Sequence, residues 1–378
     1  MKFIHLADLH LGKRVLEYSM TGEQAHILGE ILRIIGEERP DAVLIAGDVY
    51  DKSIPSVEAV EMFDRFLSRL AECGAETFII SGNHDSPERV GFASGLIDHS
   101  GIHLSPAYRG GVKPYPLRDS LGTVNLYMLP FLKPAVIRPF FPDAEIDSWT
   151  DALRTAVEGL GVDPAARNVL VAHQFVTGAV RSESEEVSVG GADNVDASVF
   201  DAFDYVALGH LHRPQNVGSP RVRYAGSPLK YSFSEADHDK SVTVAELGEK
   251  GELTVRTVPL IPLRDMRRIR GTYRELTDRS AYLGTATDDL LRITLTDEEE
   301  IPDAAGKLAA VYPNLLKLDY DNARTRAGAG PVSADEPERK TPVELFAEFF
   351  EKQNGAPLSE DMRAYAEALF EKIGEENG

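Results

Sequence analysis

The 378-residue chain has one cysteine, Cys73, and one tryptophan, Trp149. A single thiol excludes an intrachain disulfide and any structural metal site built on several thiolates. No apolar run approaches the roughly 18 residues that a membrane-spanning helix needs. Basic residues are also scarce: 40 Lys and Arg stand against 61 Asp and Glu, a formal charge of -21. Surfaces that bind nucleic acid are usually basic, so the total charge leans slightly against such a substrate. Two features soften this. Bound divalent cations offset acidic groups locally, and from Thr341 onward nine acidic residues face three basic ones, which moves part of the excess into the C-terminal stretch. The start MKFIHLADLH lacks a basic segment followed by an apolar stretch and a small-residue cleavage site, so a cytoplasmic location is expected. Walker-type loops and dinucleotide fingerprints are missing too.

What is present suits a globular chain of two or three units. The hydrophobic fraction is 43%, with 27% charged residues, enough to bury a core. Over the first 260 residues, short β-branched runs alternate with helical patterns, which predicts an α/β domain. Strands are expected at Lys2–Leu6, Ala42–Ala46, Glu76–Ile80, Asn125–Leu129, Asn168–Ala172, Asp204–Leu208, Arg221–Ala225 and Ser241–Glu246. Val57, Val60, Phe63, Leu67 and Leu70 recur at helical spacing and predict a helix whose apolar stripe is broader than one buried face needs. From Ile261 a small α+β unit is expected, with strands Arg267–Tyr273, Leu290–Thr296 and Leu315–Tyr320 and a helix Ala304–Val311. Residues 323–340 are small, polar and rich in Pro and Gly, the composition of a linker. Thr341, Pro342 and Glu344 then fit N-cap, first-turn and capping-box positions, and two amphipathic helices are expected over 341–378.

Five segments carry the chemistry: Asp8-Leu9-His10, Gly47-Asp48, Gly82-Asn83-His84-Asp85, Ala172-His173 and Gly209-His210-Leu211-His212. Four directly follow an expected strand, and ligands in α/β sheets gather at strand carboxyl ends. In an extended backbone, Asp8 and His10, or His210 and His212, would point the same way with a leucine turned inward. Imidazole, carboxylate and amide oxygen without sulfur suit hard or borderline divalent metals. A shared carboxylate would let two cations clamp a phosphoryl group and acidify a bound water, and no covalent nucleophile with its base is apparent. Taken singly, a histidine is more often a hydrogen-bonded structural residue, and Gly-Asp pairs are ordinary turns. The joint pattern decides otherwise, since five of the ten histidines fall in these segments. His5, within the first strand, reads as core.

These segments, in this order, resemble the calcineurin-like metallophosphoesterase superfamily. The resemblance implies an α/β fold, a two-layered β-sandwich flanked by helices, with a binuclear centre on one rim. It implies Asp8, His10, Asp48 and His212 as ligands of one metal, and Asp48, Asn83, His173 and His210 as ligands of the other. His84 would protonate the leaving oxygen or steady the transition state, Asp85 would orient its neighbours, and a metal-bound hydroxide would be the attacker. FIHLADLHLGK, GDVYD and the phrase YAGSPLKYSFSE (Tyr224 to Glu235) further resemble the SbcD family of nuclease subunits. That likeness implies exonuclease action on double-stranded DNA ends and endonuclease action on hairpins, with manganese or magnesium. It also implies a homodimer, an SMC-like ATPase partner, SbcC, and a DNA-facing cap. The expected organisation is a nuclease domain over 1–260, a capping domain over 261–322, a linker over 323–340 and a partner-binding helical tail over 341–378. Asp51-Lys52 stands where some relatives carry a histidine. The rival reading is a free-standing phosphoesterase for nucleotides or phosphoproteins. Lys13, Arg14, Lys52, Arg89, Lys230, Arg264, Arg267, Arg268 and Arg270 lie near the motifs or the cap's entrance, where surface charge is the commoner role.

Overall fold

The computed structural model describes residues 1–182, 193–299, 301–323, 325, 343, 346–347, 350–351, 357–359, 362–366 and 369–370. It divides into two compact units, Met1–Tyr320 and Asp321–Gly378. Most of the expected linker and much of the expected tail lie outside the described residues.

Two six-stranded sheets form the first unit's centre. One runs Leu253–Pro259, Ser241–Leu247, Lys2–Leu6, Ala42–Ala46, Glu76–Ile80, Ile102–Leu104. The other runs Gln215–Val217, Ser219–Tyr224, Tyr205–Gly209, Arg167–His173, Gly122–Leu129, Tyr115–Asp119. The central strands are parallel, and their near-continuous apolar sequence follows from burial on both faces. Phe3, Leu44, Phe78, Val169, Val171 and Ala207 face the interior between the sheets. Ile4, Leu6, Val43, Ile45 and Ile79 instead pack outward under the helices Thr21–Glu38 and Val57–Cys73. Leu170, Val206 and Leu208 do the same on the other side, beneath Trp149–Glu158. Alternation of period two thus supplies both cores from one strand.

The helix Val57–Cys73 exists, and its apolar residues exceed one buried face, as expected. Ala59, Met62, Phe63, Phe66 and Leu70 are buried, while Val57 and Val60 are exposed. Ile54, in the loop before the helix, is exposed as well. His5 is core, as expected: its Nε2–H donates to Leu208 O at 3.1 Å and its Nδ1 accepts from the Tyr205 hydroxyl at 2.8 Å.

Beyond Leu260, the strands Met266–Gly271, Leu290–Leu295 and Leu315–Tyr320 form a parallel three-stranded sheet. The helices Tyr273–Thr277, Arg279–Tyr282 and Ala304–Ala309 supply its crossovers around a separate small core. Among the described residues no helix is long and apolar enough to cross a membrane.

Candidate metal centre

All five segments leave the carboxyl ends of central strands, and they meet on one rim of the sandwich. The expected extended backbone at these segments is incorrect. Asp8 (φ 54°), His10 (φ 45°), Asp48 (φ 49°) and His210 (φ 106°) all have positive φ, half of the eight non-glycine residues that do so among the described residues. Each such residue costs about 1–3 kcal/mol, and that strain tends to gather at functional sites. Asp and His tolerate the left-handed region better than most side chains, which is how the sequence permits the bend. Leu9 and Leu211 are buried beneath the rim, as expected.

Backbone bonds sew the loops together. Asp8 N–H donates to Gly47 O (3.1 Å), and His10 N–H to Asp48 O (2.9 Å). The buried Asp85 carboxylate accepts from Val49 N–H (3.0 Å), Tyr50 N–H (2.9 Å) and Gly82 N–H (2.9 Å), locking the second loop to the third. Glycine is required where these loops touch. A Cβ on Gly82 would lie 2.2 Å from Asp48 Oδ1, and one on Gly209 would lie 1.9 Å from Ala46 O.

Asp8 and Asp48 are each held by one oxygen and present the other inward. Asp8 Oδ1 accepts from His210 N–H at 2.9 Å, while Asp8 Oδ2 is buried with no partner. Asp48 Oδ1 accepts from His84 N–H at 2.9 Å. Asp48 Oδ2 faces His10 Nε2 at 3.7 Å and His173 Nε2 at 3.4 Å.

The imidazoles are oriented with equal care. His173 Nδ1–H donates to Ala46 O (2.7 Å), which turns its Nε2 lone pair toward Asn83 Oδ1 (2.9 Å). His210 Nδ1 faces the same Asn83 oxygen at 2.9 Å. On the other side, His212 Nδ1–H donates to Glu235 Oε1 (2.9 Å), and its Nε2 meets His10 Nε2 at 3.1 Å. Acceptor facing acceptor at such distances calls for a cation between them, or a proton in its place. The donor atoms form two groups that share Asp48, one of His10, Asp48 and His84 and one of Asp8, Asp48 and His173, whereas the expected sets pair Asp8 with His10 and leave His84 outside. The residues present therefore fit a pair of divalent cations.

The electrostatics report the same crowding. Burial, with the charge of nearby Asp48, pushes the Asp8 carboxyl up to about 7. Burial also raises Asp48, but the cationic imidazoles around it, His173 first, outweigh that and hold it well below the usual carboxylate range. For His173, burial works against its charge, yet Asp48 and Asp8 push it up to about 9. His210 is driven down to about 3 by burial and by the charge of His173. Burial likewise drives His10 well below its ordinary value.

Several contributors carried no individual signal in the sequence. Glu235 is fully buried and bonded to the buried Lys240 ammonium at 2.6 Å, which also donates to His212 O and Ser227 Oγ, each at 2.8 Å. Glu235 ends the phrase that carries the narrower resemblance, yet nothing in its type or spacing gave it a task. Gln24 Nε2 donates to His10 O at 2.7 Å, and the Tyr231 hydroxyl to Leu9 O at 2.5 Å. Asp51 accepts from Lys13 Nζ at 2.6 Å, and its backbone carbonyl accepts from His84 Nδ1–H at 3.0 Å. Most of the basic residues near the site are ion-paired rather than free. Lys230 pairs with Asp265 (2.8 Å), Arg264 with Glu23 (2.7 Å), Arg267 with Asp289 (2.5 Å) and Arg268 with Asp237.

Known families match the chain in two stretches. Residues 1–214, more than half of the chain, match the calcineurin-like phosphoesterase family. Residues 262–354 match SbcD_C, the type 5 capsule protein repressor C-terminal domain. Similar solved structures include a dimetal phosphatase from Danio rerio, 12% identical over 69% of this chain and 96% of that one, with a TM-score of 0.42. TT1561 of Thermus thermophilus is 10% identical over 68% of this chain and 98% of its own, with a TM-score of 0.38.

Proposed function

The chain belongs to the calcineurin-like phosphoesterase family as a metallophosphoesterase of SbcD type, and from that premise we propose that it is the nuclease subunit of an SbcC–SbcD complex that processes double-strand breaks. The observation that carries this reading is the meeting of imidazole, amide and carboxylate lone pairs around the shared Asp48. Asp8, His10, Asp48 and His212 are the proposed ligands of one cation, and Asp48, Asn83, His173 and His210 those of the other. Manganese is the proposed metal, with magnesium the nearest substitute. Two such cations, when bound, polarise a phosphodiester and lower the pKa of water beside it.

The chain's own residues supply the rest. His84 is partly exposed at the rim, and its Nδ1–H is engaged by Asp51 O, so Nε2 is the atom placed to hand a proton to the leaving oxygen. Asp85 touches no substrate and keeps the second and third loops in register. DNA is the proposed substrate because the C-terminal match is to a domain of SbcD type. The unit after Ile261 is proposed as its cap.

A homodimer is proposed through the start of the helix Val57–Cys73, where Val57 is 76% exposed and Ile54, in the loop before it, 71%. In the second unit, Phe346, Leu358, Met362, Tyr365, Leu369 and Phe370 line an apolar groove of about 350 Å³. An apolar groove of this kind suits a helical partner, and SbcC is the proposed one. The proposed location is the cytoplasm.

The purified chain should degrade linear duplex DNA and open hairpins with manganese, faster when SbcC and ATP are added. Thymidine 5′-p-nitrophenyl phosphate, assayed alongside, reports the ester chemistry alone. Hydrolysis of that small diester with no cleavage of DNA, with or without SbcC, would discard the nuclease. It would leave a free-standing phosphoesterase, the reading that the ion-paired arginines favour. Truncation after Arg339 should spare partner-free activity and abolish association with SbcC.

A further inference from the structure

On the His173–His210 side the imidazoles end against aromatic rings. Phe131 lies nearly parallel to His210, with centroids 6.4 Å apart at 16°, and edge-on to His173 at 6.0 Å and 87°. Trp149 continues the wall, 5.9 Å from Phe131 at 43°. Both rings are partly exposed. Phe131 belongs to none of the four apolar clusters among the described residues, and Trp149 only borders one. A ring with a purely structural task would be expected inside a core.

The wall is also fixed in place. Phe131 N–H donates to Ser81 O at 2.9 Å, the residue before the Gly82 loop. Trp149 opens the helix Trp149–Glu158, whose start is held by a capping box between Ser148 and Asp151. A cation stands nearby: Arg181 lies over the Phe175 ring at 3.5 Å, is bonded to Asp193 at 2.8 Å, and its charge is felt at His210.

We propose that Phe131 and Trp149 form a stacking subsite for an unpaired nucleobase, beside the position of the scissile phosphate. The inference rests on the nuclease reading and adds what the site takes hold of. Every base offers a π-face, so stacking on aromatic rings binds single strands with little regard to sequence. A base within a duplex has that face covered by its neighbours. The subsite therefore takes a frayed terminal nucleotide or a hairpin-loop nucleotide, with Arg181 near enough to meet the adjoining backbone.

Trp149 is the only tryptophan, so its fluorescence reports the subsite without any mutation. The full chain, with calcium supplied, is titrated with a phosphorothioate-linked oligothymidylate and with an abasic strand of the same length and linkage. Saturable quenching is expected from the thymidylate strand and none from the abasic one, whose binding should be about tenfold weaker. In cleavage assays, Trp149→Leu should erase the preference for base-bearing over abasic ends, and Trp149→Phe should keep most of it. Equal binding of both strands with unchanged emission overturns the subsite and leaves the nuclease standing, provided DNA is still cut. If DNA is neither bound nor cut while the small diester is hydrolysed, the nuclease reading falls and the subsite with it.

Discussion

His212 and His173 occupy the two sides of Asp48 and are braced in different ways. The brace on His212 is a buried charged pair, Glu235 and Lys240, reaching across from the chain that follows the second sheet. The brace on His173 is the Ala46 carbonyl, part of a central strand. A carboxylate behind an imidazole raises its basicity and fixes its tautomer, and here burial's downward pull on His212 is outweighed by Glu235. A backbone carbonyl fixes the tautomer equally well and adds no charge. One side is therefore tuned by a side chain open to substitution. The other is set by the fold itself, and it is this second side that faces Phe131.

Substituting the one residue common to both sides should have the largest effect. Asp48→Asn should weaken both cations together and reduce cleavage by more than the roughly 10²–10⁴-fold that a positioned proton donor contributes. Metal analysis that finds one cation retained at full affinity would assign Asp48 to a single side. Next in size is His84→Ala, expected to keep two metals and lose rate by about 10²–10⁴-fold. Calorimetry showing a metal lost from His84→Ala, while His210→Ala keeps both, would exchange the roles of the two histidines.

Glu235→Gln tests the difference between the braces directly. Loss of the charge should weaken one of two resolved metal-binding steps by about 10–100-fold and spare the other. An equal loss at both steps would make Glu235 a support for the whole rim.

A separate test, of the fold rather than of the metals, lies under the centre at His5. Burial, helped by Arg223, lowers its pKa from 6.5 to about 3. Below about 6.5 the unfolded chain binds a proton that the folded chain refuses, so acid favours unfolding. Stability attributable to His5 is thus present above about 6.5 and should decline by about 1.4 kcal/mol per pH unit as acidity increases toward about 3. Denaturant melts at stepped pH should show a gentler decline in His5→Asn; parallel curves for both chains would remove His5 from the acid response.

The central strands were legible because burial on both faces demands unbroken apolar runs; Lys2–Leu6, Ala42–Ala46 and Glu76–Ile80 occur with the expected bounds. The edge strands Tyr115–Asp119 and Leu253–Pro259 were not, since each is half exposed and contains a proline that argues against a strand. On Val57–Cys73 the spacing marked the helix, but packing decides that Phe63 and Leu70 meet the core while Val57 and Val60 do not. Within the site, the residue types were readable but the path of the backbone was not. Asp8, His10, Asp48 and His210 bend into the left-handed region because loops from other strands hold them there, and no local pattern encodes that. Glu235 was hidden for a related reason, as its value lies in a partner 23 residues away.

The stitched loops have a consequence for how metal is acquired. Asp85, the Asp8–Gly47 bond and the His10–Asp48 bond hold the donor atoms at their stations by contacts that involve no metal. Ion capture at such a rim requires little rearrangement of the chain, so the conformational entropy of assembling the donors is already spent when the protein folds. Chelation should then behave as emptying a rigid cup: the ions leave, the secondary structure stays, and reloading proceeds at the rate at which ions arrive and shed water.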